Sequence, residues 1–266
     1  MNFMICLSGE PEQLPFLPEI VGLGAGIELG SYGMVGVRSE RDWKSRLALH
    51  KAVRAQFKGP VALHGPFLGM EYDHIDHMIR EAVQRRLGMT FDAAVELKAS
   101  RVVLHSGYKP ENDLFKLQAT WLAGNVEFWR REIRRWADAG IVIVLENDTE
   151  KVPDLLVQLV DEVDDPFLGL CMDIGHQHAF SDLDILEWVR RMGHRLLHIH
   201  LHDNDRTGDH HWSIGRGTVD FVSFYAAVLQ QVPNATISLE VEDKMDIKMG
   251  DLRNLIAYFA SEQASE

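Results

Sequence analysis

Ten side chains that can bind a divalent metal ion lie at the ends of short apolar segments, or in the turns that follow them. The segments, such as VALH, RVVLH and IVIVLE, are rich in aliphatic and β-branched residues and are typical of buried strands. The active site of a parallel barrel is built from the carboxyl ends of its strands, so this repeated placement predicts one convergent site. The ten residues are His64, His105, Glu146, Asp173, His176, His200, His202, Asp209, His211 and Glu240.

Four of these residues end the fifth to eighth apolar segments and offer three carboxylates and one imidazole. Such an oxygen-rich set suits hard or borderline cations, which predicts Mn²⁺, Mg²⁺, Co²⁺ or Zn²⁺ as the cofactor. The alternative is that one or two of them are hydrogen-bonded core groups, because an unpaired buried carboxylate is costly. The four residues are Glu146, Asp173, His200 and Glu240.

Two histidine-rich groups could extend this site to a multi-zinc cluster. Two histidines with one carboxylate suit zinc that keeps an open position. The alternative is that the histidines hydrogen-bond a sugar or a phosphate, and it stays open at this point. The first group is His64, His105 and Glu146, and the second is His176, Asp209 and His211.

Strand-like and helix-like segments alternate along the whole chain. This alternation predicts an α/β fold, a single (β/α)₈ TIM barrel that occupies residues 1–266 as one domain. An open doubly wound sheet is the alternative, but SGEPEQLP after the first strand is not a Gly-rich phosphate fingerprint. Helices are expected within 73–100 and 113–139, and strands at 3–7, 26–30, 60–64, 101–105, 141–146, 168–173, 196–202 and 236–240.

Alternation within each strand predicts which side chains point into the barrel. In the fifth strand Val144 shares a face with Glu146, and in the seventh strand His198 shares a face with His200 and His202. His198 lies one layer deeper, so we interpret it as a core histidine. His202 is interpreted as a residue that supports a metal ligand from behind.

Composition narrows the class of protein. The 266 residues carry a formal net charge of −13, which disfavours a polyanion such as nucleic acid as partner without excluding it. Two cysteines make no disulfide framework and favour a reducing, cytoplasmic location. There is no basic leader and no run of about 18 apolar residues, so no membrane partner is expected. The oligomeric state stays open.

The sequence motifs resemble those of a known superfamily. HLHDND followed by DHHWSIGRGTVDF is similar to the pattern HLHDN…DxH…GxGxxDF of the sugar phosphate isomerase/epimerase branch of the xylose isomerase-like TIM barrels. LEN, the D-x-G-H motif and the last strand glutamate strengthen the resemblance, which covers roughly residues 60–243. It implies an enzyme that acts on a small sugar or sugar phosphate, and it leaves isomerase, epimerase and dehydratase open.

The resemblance also implies roles for particular residues. The metal would be held by Glu146, Asp173, His200 and Glu240. Glu146 and Glu240 would in addition exchange protons with the sugar carbon beside a carbonyl group, through an enediolate. Further substrate contacts are expected from His176, Arg206 and Arg216.

Endonuclease IV belongs to the same superfamily and is the alternative. Its three-zinc ligand set maps onto nine of the ten residues, all except His202, which implies a zinc-dependent phosphodiesterase that acts on abasic DNA. GRG at 215–217 replaces an acidic GEG that is common to both branches, so the local charge departs from both patterns. The loops SGEPEQ and GSYGMVGVRSER lack the DNA-handling insertions of the endonuclease IV family. The isomerase or epimerase is therefore the leading hypothesis.

Overall fold

The centre of the molecule is a closed barrel of eight parallel strands that are neighbours in chain order. The computed structural model describes residues 1–30, 32 and 39–263. The last strand pairs with the first, and this closure confirms the predicted (β/α)₈ TIM barrel. The strands are β1 (Asn2–Leu7), β2 (Gly26–Leu29), β3 (Val61–His64), β4 (Arg101–His105), β5 (Val142–Glu146), β6 (Leu168–Asp173), β7 (Leu196–Leu201) and β8 (Thr236–Leu239).

Helices connect the strands and pack against them from outside. Short 3₁₀ helices lie at Pro11–Phe16 and Gly193–Arg195. Among the described residues, the α-helices are α1 (Leu17–Gly22), α2 (Glu40–Gln56), α3 (His77–Leu97), α4 (Pro110–Leu114), α5 (Gln118–Asp138), α6 (Asp154–Val163), α7 (Ile174–Phe180), α8 (Ile185–Met192), α9 (Phe221–Gln231) and α10 (Met245–Gln263).

Two separate apolar clusters show how strand alternation divides the core. The large cluster joins outward-facing strand residues such as Leu145 to buried helix residues such as Trp129. The small cluster lies inside the barrel and consists of Val103, Val144 and Cys171 with the partly buried residues against them. In β5 the residue two positions after Val144 is Glu146, so the inner apolar layer supports the carboxylate above it.

The helix expected within 73–100 is α3, which begins at His77 and ends at Leu97. Asp76 accepts a hydrogen bond from the backbone N–H of Met78 at 2.8 Å and so caps α3 at its start. Ile75 and Met78 fit the apolar helical spacing of this segment, but Ile75 precedes the cap and is 91% exposed, and Met78 is 67% exposed. The stretch 113–139 contains the end of α4, which stops at Leu114, and the whole of α5, which begins at Gln118. Lys116 between them has a φ of 58°, which is not helical.

Two loops bear on the DNA-handling question. The loop after β1 carries the 3₁₀ helix Pro11–Phe16. The loop after β2 includes residues 31 and 33–38, which lie outside the described residues.

Across the ranges 1–30, 32 and 39–263, no helix is long and apolar enough to span a bilayer.

Candidate metal centre and active site

One imidazole nitrogen is surrounded by three carboxylates at the mouth of the barrel. His200 Nδ1 lies 2.9 Å from Glu240 Oε2, 3.0 Å from Glu146 Oε1 and 3.8 Å from Asp173 Oδ2. Glu146, Asp173 and His200 are fully buried. Three carboxylates and one imidazole form an oxygen-rich donor set, which suits hard or borderline divalent cations. The donor chemistry therefore fits a divalent cation, and the structure brings the four predicted residues together.

The ends of β5 and β6 are tied to each other, which holds two of these carboxylates in place. The Asn147 side chain donates to the Asp173 carbonyl at 3.0 Å and accepts from the Asp173 N–H at 2.9 Å. Asp173 also caps α7, because its Oδ1 accepts from the His176 N–H at 2.6 Å. Asn147 thus fixes the main chain of Asp173, and the first turn of α7 orients its carboxylate.

Glu146 connects this set to a second one. Its Oε1 faces His200, whereas its Oε2 lies 3.1 Å from His64 Nε2 and 3.4 Å from His105 Nε2. His64 Nδ1 donates to the Gly65 carbonyl at 3.0 Å, so in the neutral ring Nε2 is the nitrogen that can bind a metal. Two imidazoles and a shared carboxylate are a donor set that fits zinc.

A third set is centred on Asp209. Its Oδ2 lies 3.2 Å from His176 Nε2 and 3.0 Å from His211 Nε2. The Nδ1 atoms of both histidines donate to backbone carbonyls, at 2.8 Å in each case. His202 adds a fourth donor, with ligand atoms of all four residues within 4.8 Å of one another. Its Nε2 lies 3.0 Å from Asp173 Oδ1 and 3.6 Å from Asp209 Oδ1, so it faces the carboxylates of two sets.

Members of all three sets line a cavity of about 370 Å³ at the barrel mouth. Phe67, Gln13 and Lys248 contribute to its wall beside Glu146 and Glu240. Cavities of this size bind small molecules.

The xylose isomerase-like TIM-barrel family model matches residues 26–260, which include every residue of the three sets. This chain belongs to that family. A probable endonuclease 4 of Mycobacterium leprae is 25% identical over 198 residues, which cover 70% of this chain and 74% of that protein.

Two solved structures of similar fold extend the comparison. The TTHB071 protein of Thermus thermophilus, from crystals soaked with ZnCl₂, is 25% identical with a TM-score of 0.74, over 96% of this chain and 98% of that one. A D-tagatose 3-epimerase-like protein is 21% identical with a TM-score of 0.77, over 99% of this chain and 100% of that one. The latter likeness concerns the fold alone.

The glycine-rich loop of this xylose isomerase-like barrel is held by Asp203, directly after the HLH motif. The Asp203 carboxylate accepts from the backbone N–H groups of Gly215 at 2.9 Å, Gly217 at 2.8 Å and Val219 at 3.2 Å. A Cβ atom at Gly217 would lie 2.2 Å from the Asn204 carbonyl oxygen, so this position requires glycine. The loop therefore has a fixed position beside the third set.

Two arginines, Arg206 and Arg216, were expected to bind substrate. Neither is among the described residues that line the cavity. Arg206 donates to the backbone carbonyls of His178 at 3.2 Å and Ser181 at 2.8 Å. The Arg216 side chain is 60% exposed, and its guanidinium lies 5.0 Å from the centre of the Trp212 ring. Substrate contact by either arginine stays a prediction.

Two residues that the sequence did not single out belong to the site. Lys248 lines the cavity and its Nζ donates to the Cys6 carbonyl at 3.0 Å. Glu28 lies on β2 and is fully buried among histidines. A carboxylate inside the apolar segment GIEL, flanked by glycines, was the signal for Glu28. For Lys248, which lies in a helix, the sequence carries no such signal.

The two glutamates of the centre have a lowered pKa and stay ionised at neutral pH. Burial alone would raise the pKa of Glu146, but the neighbouring charges of His200 and His105 hold it well below its ordinary value. Burial likewise opposes ionisation of Glu240, yet His200 lowers its pKa to about 2. Ionised carboxylates are the form that binds a metal.

Two histidines, His64 and His211, hold protons that a metal must displace. Burial disfavours the charged ring of His64, but its hydrogen bond with Glu146 raises the pKa to about 9. His211 behaves in the same way beside Asp209, and its pKa rises to about 10. Below these values the metal-free rings are protonated, so a metal competes with a proton at each one.

We therefore expect metal affinity to rise with pH between about 6 and 9, by about tenfold per pH unit for each proton displaced. Zinc titration calorimetry in buffers of different ionisation enthalpy will count the protons released. The His64→Ala variant should release fewer protons than the unaltered protein. Affinity that is flat across this range would contradict the expectation.

Proposed function

We propose that this protein is a divalent-metal-dependent isomerase or epimerase of a small sugar or sugar-phosphate-like polyhydroxy carbonyl compound. The observation that carries the proposal is the position of Glu146 and Glu240, whose oxygens face the same nitrogen of His200 beside a cavity of small-molecule size. Two carboxylates that converge on one metal centre suit proton transfer at a carbon next to a carbonyl group.

In this proposal Glu146, Asp173, His200 and Glu240 hold Mn²⁺, Mg²⁺, Co²⁺ or Zn²⁺. A cation held by these residues would supply Lewis-acid stabilisation of a negatively charged substrate oxygen. One glutamate removes the proton from the adjacent carbon, and one glutamate returns a proton to the neighbouring position or to the opposite face. His176 orients a substrate hydroxyl, because it lines the cavity beside Asp209.

The acidic balance of the chain supports a small substrate. Its net charge of −13 opposes the approach of a polyanion. The loop after β1 contains the 3₁₀ helix Pro11–Phe16, and Gln13 of this helix lines the cavity. A cavity of about 370 Å³ with Gln13 in its wall fits a small ligand.

A zinc-dependent phosphodiesterase that acts on abasic DNA is the second candidate. It is favoured by the convergence of the two histidine-rich sets, which a single-metal isomerase does not need, and by the similarity to the endonuclease 4 relatives. Two or three zinc ions can hold both the attacking and the leaving oxygen of a phosphodiester.

The two candidates are separated by a parallel assay. The protein, loaded with Mn²⁺ or with Zn²⁺, is offered a panel of sugars and sugar phosphates in deuterium oxide and, separately, an abasic-site duplex. We expect solvent deuterium to enter at the carbon beside the carbonyl of one sugar, with the duplex intact. Cleavage of the duplex without turnover of any sugar would reverse the ranking.

Metal counting tests the histidine-rich sets directly. If His64 and His105 hold their own zinc ion together with Glu146, His64→Ala and His105→Ala should each lose about one equivalent of zinc. Each substitution leaves only two of the three donor residues. Mass spectrometry of elements after dialysis gives this count. Unchanged zinc content in both variants would instead make these histidines substrate contacts. His74→Ala, in the loop before α3, is the matched control.

A further inference from the structure

A buried carboxylate lies on the far side of His200 from the metal centre. Glu28 on β2 is fully buried, and its Oε1 lies 3.0 Å from His200 Nε2. Its Oε2 accepts from the Ser238 hydroxyl at 2.6 Å and lies 2.9 Å from His198 Nε2. The proton transfers proposed above do not involve Glu28, so its three contacts need another explanation.

An ionised carboxylate only accepts hydrogen bonds, and this determines which nitrogen of His200 keeps its proton. Both oxygens of Glu28 face possible donors, namely the Ser238 hydroxyl and the two imidazole rings, which suits an ionised carboxylate. With Nε2–H donated to Glu28, the neutral ring carries its lone pair on Nδ1, and Nδ1 is the atom that faces Glu146 and Glu240. The opposite tautomer would point an N–H at the metal position.

The contacts behind Glu28 are consistent with this direction. An Arg101 N–H faces His198 Nδ1 at 3.4 Å, and arginine can only donate. His198 Nδ1 is therefore the acceptor, and Nε2–H donates to Glu28. Arg101 therefore donates to His198, and His198 donates to Glu28 Oε2. The other oxygen of Glu28, Oε1, accepts from His200.

The barrel interior leaves room for this carboxylate. Glu28 pairs in register with Cys6 of β1 and Ala62 of β3, which both have small side chains. Gly26 lies two positions earlier on the same face of β2, and a Cβ there would approach Met4 Cε to 2.8 Å. Small neighbours let the Glu28 side chain cross the barrel to β7 and β8, where His198, His200 and Ser238 lie.

We propose that Glu28 is a positioning residue that fixes the tautomer and ring orientation of His200, so that Nδ1 is presented to the metal. This inference rests on the metal centre of the proposed function and holds for either reaction considered there. Carboxylates that accept from the second nitrogen of a metal-bound histidine raise its basicity, and loss of such a partner typically costs about 10- to 100-fold in metal affinity.

The test uses Glu28→Ala and Glu28→Gln in the full chain, with Zn²⁺ affinity measured by competition with a chromophoric chelator. We expect a loss of about 10- to 100-fold for Glu28→Ala, with the zinc stoichiometry restored at saturating metal. Gln keeps the volume and one acceptor oxygen, so Glu28→Gln should show a smaller loss and also serves if the alanine variant does not fold. Ser238→Ala removes the hydroxyl that donates to Glu28 but leaves the contact between Glu28 and His200. The Zn²⁺ affinity of this variant should remain close to that of the unaltered protein.

Nitrogen-15 NMR of the zinc-loaded protein supplies a readout that a general packing defect would not move. The unaltered protein should show a slowly exchanging His200 Nε2–H that is lost or strongly shifted in Glu28→Ala. Unaltered affinity and an unchanged Nε2–H signal would overturn the proposal. So would the loss of a whole zinc equivalent at saturation, because Glu28 would then be a ligand itself. Neither measurement requires sugar turnover, so failure of the proposed reaction would be recognised separately.

Discussion

His200→Ala should remove most of the metal from the centre and reduce activity to below about 1% of the unaltered protein. The substitution deletes the nitrogen that lies 2.9 Å from Glu240 and 3.0 Å from Glu146. Loss of a residue behind a ligand already costs about 10- to 100-fold in affinity, so loss of the ligand should exceed that range. The barrel should stay folded, because its main apolar core lies between strands and helices.

Two substitutions are needed at Asp173, because this residue both faces the metal position and caps a helix. Its carboxylate faces His200 and it also caps α7, and loss of a cap costs about 0.5–2 kcal/mol. Asp173→Asn retains an oxygen for the cap and removes the negative charge, whereas Asp173→Ala removes both. We expect both variants to lose metal, and the alanine variant alone to lose most of the capping energy.

Elemental analysis after dialysis and thermal unfolding followed by circular dichroism measure the two effects separately. Asp184→Asn is the matched control, because Asp184 caps α8 through the Leu186 N–H at 2.8 Å and lies in an exposed position. That variant should bind metal normally. A metal content per chain equal to that of the unaltered protein in His200→Ala would refute the assigned centre.

The barrel and the convergence of the site could be predicted because both follow from strand periodicity. A side chain at the last inward position of a parallel strand must point to the barrel mouth, whatever its partners are. Glu146, Asp173 and His200 occupy such positions, and the structure places them around one point.

Other features depend on contacts between distant segments and could not be predicted in this way. Glu28 meets His200, which is 172 positions later in the sequence, only after the barrel closes. Ile75 and Met78 fit an apolar helical pattern, but the cap at Asp76 starts the helix beyond Ile75 and the packing leaves both side chains exposed. The anchoring of Arg206 on two backbone carbonyls is likewise a product of the folded loop.

The last prediction concerns the reaction itself. If Glu240 both binds the metal and carries a proton, Glu240→Gln should reduce turnover by about 10²–10⁴-fold while retaining part of the metal. Gln offers a carbonyl oxygen to the cation but cannot accept the proton. Glu146→Gln should affect the metal more strongly, because both oxygens of Glu146 face histidines of different sets. Glu240 is therefore the cleaner position.

The readout is incorporation of solvent deuterium at the carbon beside the carbonyl, measured with metal content in the same samples. Glu242→Gln is the matched control, because Glu242 lines the cavity but is exposed to solvent, and its turnover should change little. Product formed without solvent label would indicate a hydride shift or a shielded proton relay. If the protein cleaves an abasic duplex and converts no sugar, Glu240 acts as a ligand of a zinc cluster and not as a proton carrier.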